Sequence, residues 1–126
     1  MAGLSNMMQK GFKAGAAIPA RTLVKFGADD ASVVPATAST DAIIGVSNEL
    51  AAAIGEPVDI VLLGIPEVVL GGNVTRGDPL TSDANGHAVT AAPAAGVNAR
   101  IIGFALVSGV ANDIAPAFLN QGRIQG

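Results

Sequence analysis

A four-residue phrase of glycine, acid, proline and aliphatic occurs twice in this chain, as Gly55-Glu56-Pro57-Val58 and Gly77-Asp78-Pro79-Leu80. Glycine tolerates positive φ, the acid can accept a hydrogen bond from a nearby turn amide, and proline fixes φ while giving up a ladder donor. The aliphatic residue that follows therefore starts a strand. A second echo, Ile43-Ile44-Gly45 with Ile101-Ile102-Gly103, is read in the same way, as a hand-over between turn and strand. A chain punctuated like this builds β-structure, and the echoes are too brief to establish a repeat architecture.

From Ile18 onward, short apolar runs alternate with turn residues at 21–26, 32–36, 42–46, 58–63, 67–70, 80–82, 87–91, 100–107 and 114–119. Nine short strands predict an all-β fold, a small barrel or sandwich. Residues 48–54 are the one helical candidate, limited to two turns by the Gly55-Glu56-Pro57 stop. Asp83-Ala84-Asn85-Gly86 predicts a tight hairpin, with Asn-Gly supplying the positive φ angles of a type I′ turn. Residues 1–17 show no clean period and are read as an extended N-terminal arm ahead of a single β-barrel domain at 18–126. Leu4, Met8 and Phe12 also stand at helical spacing, so a short helix there is the alternative.

The chain has 126 residues, 50% of them hydrophobic and 13% charged, against roughly 25% charged in an ordinary soluble domain. Part of its surface is therefore expected to be covered. The most apolar stretch, 58–70, is short and interrupted by Asp59, Pro66 and Glu67, so no membrane span is expected. The first residues lack the charged tip and continuous apolar run of a signal peptide, which points to synthesis in a cytoplasm. Lys10, Lys13, Arg21 and Lys25 give residues 1–25 a charge of +4 with no acid, leaving −7 for the rest of a chain whose net charge is −3. An acidic body without Trp or Tyr is a poor nucleic-acid binder.

Catalytic and cofactor chemistry find little to stand on. There is no cysteine, and His87 is the sole histidine, so no metal or nucleophile constellation can be completed around it. No serine sits in a Gly-x-Ser-x-Gly setting and no phosphate-binding Gly-x-x-x-x-Gly-Lys run occurs. A calcium loop through Asp83 and Asn85 would need an acid where Ala92 stands. Asn73-Val74-Thr75 is a glycosylation sequon only in a secreted chain. The run 72–80 resembles biotinyl and lipoyl carrier domains, but those need a lysine on a hairpin tip, and no lysine follows Lys25. Neither enzyme nor cofactor is expected, and no catalytic, cofactor-binding or metal residue is assigned.

Taken in order, Arg21-Thr22-Leu23-Val24-Lys25-Phe26, Asp41-Ala42-Ile43-Ile44-Gly45-Val46, Gly55-Glu56-Pro57-Val58-Asp59-Ile60, Gly77-Asp78-Pro79-Leu80-Thr81-Ser82-Asp83 and Arg100-Ile101-Ile102-Gly103-Phe104-Ala105-Leu106 resemble the capsid decoration, or cement, proteins of tailed bacteriophages. The resemblance covers residues 18–124. It implies a β-barrel or β-tulip-like protein, made in the bacterial host cytoplasm, that sits as a homotrimer on the outer capsid surface of the virion. There it would lie at threefold or quasi-threefold positions and clamp neighbouring subunits of the major capsid protein. The family offers no catalytic residues to carry over.

The arm lies outside that match, and its role is read from its residues. Ordering 17 residues costs on the order of 17 to 34 kcal/mol of backbone entropy. Burying Leu4, Met7, Met8 and Phe12 returns roughly 6 to 12 kcal/mol, so main-chain pairing or a partner must supply the remainder. The expectation is a capsid-binding arm anchored by those four residues, with Lys10, Lys13 and Arg21 facing acidic capsid surface. Two other readings stand beside it: a surface or secreted adhesion module using Arg76-Gly77-Asp78, and a bacterial β-barrel carrier or accessory domain.

Overall fold

The computed structural model describes residues 7–126. Among them run ten strands and no helix: β1 (Met8–Ala14), β2 (Leu23–Phe26), β3 (Ser32–Pro35), β4 (Ile43–Ser47), β5 (Pro57–Leu63), β6 (Glu67–Val69), β7 (Pro79–Ser82), β8 (Ala88–Thr90), β9 (Asn98–Ala105) and β10 (Ile114–Gln125). The first five close a barrel in the order β1-β3-β2-β4-β5, and the last five form a sheet in the order β6-β10-β9-β7-β8. The β1–β3 pair is parallel and the other pairs are antiparallel. The expected all-β small barrel is the observed architecture.

The Gly-acid-Pro phrases perform as their chemistry demands. Gly55 and Gly77 sit at φ 86° and 90°, and a Cβ at either would meet open space, so glycine is needed there for its backbone angle alone. Their N–H groups donate to Ala14 O and Ala105 O, each at 2.7 Å. The Glu56 carboxylate accepts the Ala53 N–H at 2.7 Å, and the Asp78 carboxylate accepts the Thr75 N–H at 2.9 Å. Each acid's own N–H returns a bond to the same residue's carbonyl. The reciprocal pattern recurs between Ala38 and Asp41 and between Val110 and Asp113. Strands β4, β5, β7 and β10 each begin within two residues of one of these acids.

The Ile-Ile-Gly echo has a different meaning from the one expected. Gly45 and Gly103 lie inside β4 and β9, not at turns. A Cβ on Gly45 would run into Val61 O and Ile60 Cγ2, and one on Gly103 into the carbonyl of Phe118. These glycines let a neighbouring backbone close in.

Two apolar clusters fill the molecule. One, around Phe12, Ile18, Val24, Val33 and Ile60, belongs to the barrel alone; the other, around Leu23, Val46, Val61, Leu80, Ile102 and Leu119, joins the barrel to the second sheet. Leu23 and Val24 are adjacent, point to opposite faces of β2, and are both fully buried. Ile60 and Val61 do the same on β5. The barrel wall is therefore covered on both faces, which explains its continuous aliphatic runs. Where β10 slips register between Leu119 and Gly122, the Gln121 amide donates to Ile44 O at 2.9 Å and Leu62 O at 2.7 Å, tying β10 to β4 and β5.

Three local expectations are corrected. The arm does not end at residue 17 as a separate extended segment, because Met8–Ala14 is a barrel strand paired with β5 from Met8↔Leu63 to Lys13↔Pro57. It also meets β3 at Lys13↔Ser32 and Ala14↔Val33. The main-chain pairing that the entropy argument required comes from the chain's own barrel, and it excludes the alternative helix over Met8 and Phe12. The helical candidate at 48–54 is irregular chain: the Asn48 side chain accepts the Leu50 N–H at 2.9 Å, an alternative to helical bonding, and Ala52 exchanges two hydrogen bonds with Ile18. The Asp83–Gly86 hairpin is not type I′, since Gly86 has φ 74° and Asn85 does not have positive φ. The Asp83 carboxylate accepts the N–H groups of Asn85 and His87 instead, giving a turn closed by a left-handed glycine.

Candidate functional site

Strand alternation builds an apolar face on the outside of the second sheet. On β10, Ala115, Ala117 and Leu119 point into the core, so Ile114, Pro116 and Phe118 point outward. Phe118 is the direct ladder partner of Phe104 on β9, and the two rings stack with centroids 5.4 Å apart and planes at 19°. Pro79 of β7 lies opposite Phe104 on the other side. The bonds from Ala117 N to Pro66 O and from Leu119 N to Gly64 O bracket Ile65, placing it beside Phe118. Phe118 and Phe104 keep 40% and 37% of their surface exposed, and Ile65, Leu106 and Ile114 are exposed as well. Glu67, opposite Pro116, is an acid at this face's margin.

A second exposed apolar patch lies on the irregular chain before β5, where Leu50 and Ile54 are 67% and 72% exposed. Between the barrel and β6 runs a groove of about 300 Å³ lined in part by Met7, Gln9, Arg21, Ile65 and Glu67. Arg21 spans its edge with a 3.3 Å ion pair to Glu67. Among the described residues, no group of His, Cys, Asp and Glu is placed to hold a metal ion.

The residues assigned to the capsid-binding arm are not all brought together. Leu4 lies outside the described residues. Met7 packs against the larger core cluster, and Phe12 is buried in the barrel with its ring edge-on to Phe26 at 6.2 Å. Lys10 reaches back over the Phe12 ring at 4.5 Å, and Arg21 is held by Glu67. Exposed on β1 are Met8, Lys10 and Lys13. The Asp78 carboxylate of Arg76-Gly77-Asp78 accepts both Thr75 N–H and Thr90 Oγ1–H at 2.9 Å, so the acid of that tripeptide is already engaged.

One electrostatic knot fixes the entry to β4. Burial raises the proton affinity of Asp41, but the Thr37 N–H at 2.8 Å and the Lys25 ammonium at 3.2 Å outweigh it, so its pKa falls below the usual 3.8. The Asp29 pKa is also lowered, chiefly by the Ala31 N–H.

The Phe104–Phe118 pair was not among the residues singled out from the sequence. Its signal was present in the alternation of 114–119, where small and aliphatic residues share one parity and Phe118 takes the other. Only the β9–β10 register reveals that Phe104 stands opposite.

A family model described as phage cement protein matches residues 5–117. The solved structure of the head fiber gp8.5 N base in bacteriophage phi29 superimposes with a TM-score of 0.69 and 18% identity, covering 95% of this chain and 99% of that one. At that identity the likeness is one of fold. No curated protein matches the chain.

Proposed function

The chain belongs to the phage cement protein family, and from that premise we propose that it is a non-enzymatic structural protein on the outside of a tailed-phage head. In this reading it binds at threefold or quasi-threefold positions as a homotrimer and clamps neighbouring subunits of the major capsid protein. The observation that carries the proposal is the outward apolar face around Phe104 and Phe118. Such a face is costly to leave in water and matches the composition of permanent interfaces.

A ring of three needs two unlike patches that meet head to tail. The Phe104–Phe118 face and the Leu50–Ile54 loop supply two such patches. Covering what remains exposed of each phenylalanine, on the order of 80 Å², contributes about 2 kcal/mol per ring. Capsid contact then falls to the basic strand β1 through Met8, Lys10 and Lys13, with Leu4 as a further anchor. Three weak contacts on one trimer reinforce each other, because after the first docks the others act at an effective concentration of order millimolar.

The test combines sedimentation with imaging of purified protein mixed with undecorated expanded heads. Wild type should sediment as a trimer and decorate the heads. Phe104→Ser with Phe118→Ser should sediment as a monomer and decorate weakly. Removal of residues 1–6, which leaves β1 intact, should weaken decoration and spare the trimer. Failure of wild type to bind its own expanded heads would sink the cement reading.

A further inference from the structure

Strands β9 and β10 contain a pairing that the fold itself opposes. Arg100 and Arg123 are direct partners in the antiparallel ladder, which places two like charges on one face, about 5 Å apart at Cβ, where they weaken the ladder. Neither guanidinium is relieved from within: the ion pairs among the described residues are Arg21–Glu67 and Lys25–Asp41. The two arginines line a cavity of about 150 Å³ together with Thr40, Asn98 and Ala99, and no acid lines it. Two guanidinium groups thus line one small space with no acid among its lining residues.

We infer that this cleft receives a carboxylate side chain from an acidic segment of the capsid partner, a deepening that rests on the capsid-binding reading above. Two guanidinium forks facing one space suit the two oxygens of a carboxylate. The arginines are two of only three basic residues after Lys25, in a stretch whose net charge is −7. That acidic surround repels a long polyanion such as nucleic acid, while a single carboxylate can enter at short range. The cavity is also sized for one side chain and not for a sugar-phosphate backbone. The cross-strand repulsion is then a cost tolerated in the free protein and relieved on binding.

Three measurements on the full chain test this. Titration with an acetylated hexaglutamate peptide should shift the Arg100 and Arg123 side-chain NMR signals, and Arg100→Gln with Arg123→Gln should abolish that binding. Arg123→Glu, which sets an acid opposite Arg100, should raise the thermal midpoint by about 1 to 4 °C while lowering affinity for expanded heads at least tenfold. Arg100→Lys with Arg123→Lys, which keeps the charge and loses the forks, should fall between wild type and the glutamine variant. Equal head binding by wild type and the glutamine variant overturns the inference, as does peptide binding that ignores both substitutions, or inorganic phosphate binding in place of the peptide. A lowered midpoint in Arg123→Glu also overturns it, by making the pair structural. If wild type binds no heads, the capsid reading falls instead, and the peptide titration still decides whether the cleft takes carboxylates.

Discussion

Two glycines on neighbouring strands should respond oppositely to one added methyl group. Gly103 lies in mid-β9 between Leu80 of β7 and Leu119 of β10. A Cβ there would overlap the Phe118 carbonyl oxygen and approach Phe118 C at 2.8 Å and Leu119 Cα at 2.9 Å. All three obstacles are backbone atoms, so no rotamer change relieves them, and the β9–β10 ladder must spread beside the fully buried Ile102 and Leu119. Overpacking that a core can absorb costs roughly 1 to 3 kcal/mol. A backbone clash that also opens ladder bonds belongs at or above the top of that range, so Gly103→Ala should cost about 3 kcal/mol or more. Gly122, opposite Ile101, is different: a Cβ there meets Ile101 Cγ1 at 3.8 Å and Cδ1 at 3.9 Å, ordinary contact with a flexible side chain. Its φ is not among the positive ones, so Gly122→Ala should stabilise by about 0.5 kcal/mol through the unfolded chain. The assay is urea unfolding followed by far-UV circular dichroism, since the chain has neither Trp nor Tyr. Midpoints should move in opposite directions at unchanged slope. A Gly103→Ala midpoint within error of wild type, or equal losses at the two sites, would refute the close-approach argument.

Other perturbations read different parts of the molecule. Gln121→Leu removes the amide that serves Ile44 O and Leu62 O; the site is open to water, so a loss of about 1 to 2 kcal/mol is expected in the same urea assay. Asp78→Ala strips the Thr75 N–H and Thr90 hydroxyl of their acceptor and should cost about 1 to 2 kcal/mol; loss of integrin-type cell adhesion on this substitution, with stability unchanged, would favour the adhesion reading instead. Asp41 has a folded pKa below 3.8, so its contribution is present above that value and is lost as pH falls through the folded pKa. Asp41→Asn should therefore melt earlier than wild type near about pH 6, with the gap closing as pH falls below 3.8 and through the folded pKa; a gap independent of pH would show that charge is not what holds the Thr37–Asp41 turn.

Much of the strand plan was legible because it is written in local chemistry. All nine expected strands appear, from β2 to β10, with limits within two residues of the expected ones except that β10 runs six residues past its expected end. Strand β1 was missed because Gln9-Lys10-Gly11 is polar and exposed, and its membership depends on β5, whose pairing residues lie more than 40 positions away. The site was less legible than the fold. Lys10, Lys13 and Arg21 were visible as a basic cluster, but the engagement of Arg21 by Glu67 and the burial of Phe12 follow from barrel closure. Phe104 with Phe118, and Arg100 with Arg123, become pairs only once the β9–β10 register is set.

The four echoed glycines divide along the same line. At Gly55 and Gly77 the sequence alone determined the outcome, since positive φ, an acid within reach of a turn amide and a proline opening the next strand are properties of a few consecutive residues. At Gly45 and Gly103 it did not. What makes a side chain impossible there is a carbonyl from a strand distant along the chain, and such a collision exists only after β4 meets β5 and β9 meets β10. Turn chemistry is a short-range property of the chain, while close approach, barrel closure and the faces left open for partners are decided by which strands come to lie side by side.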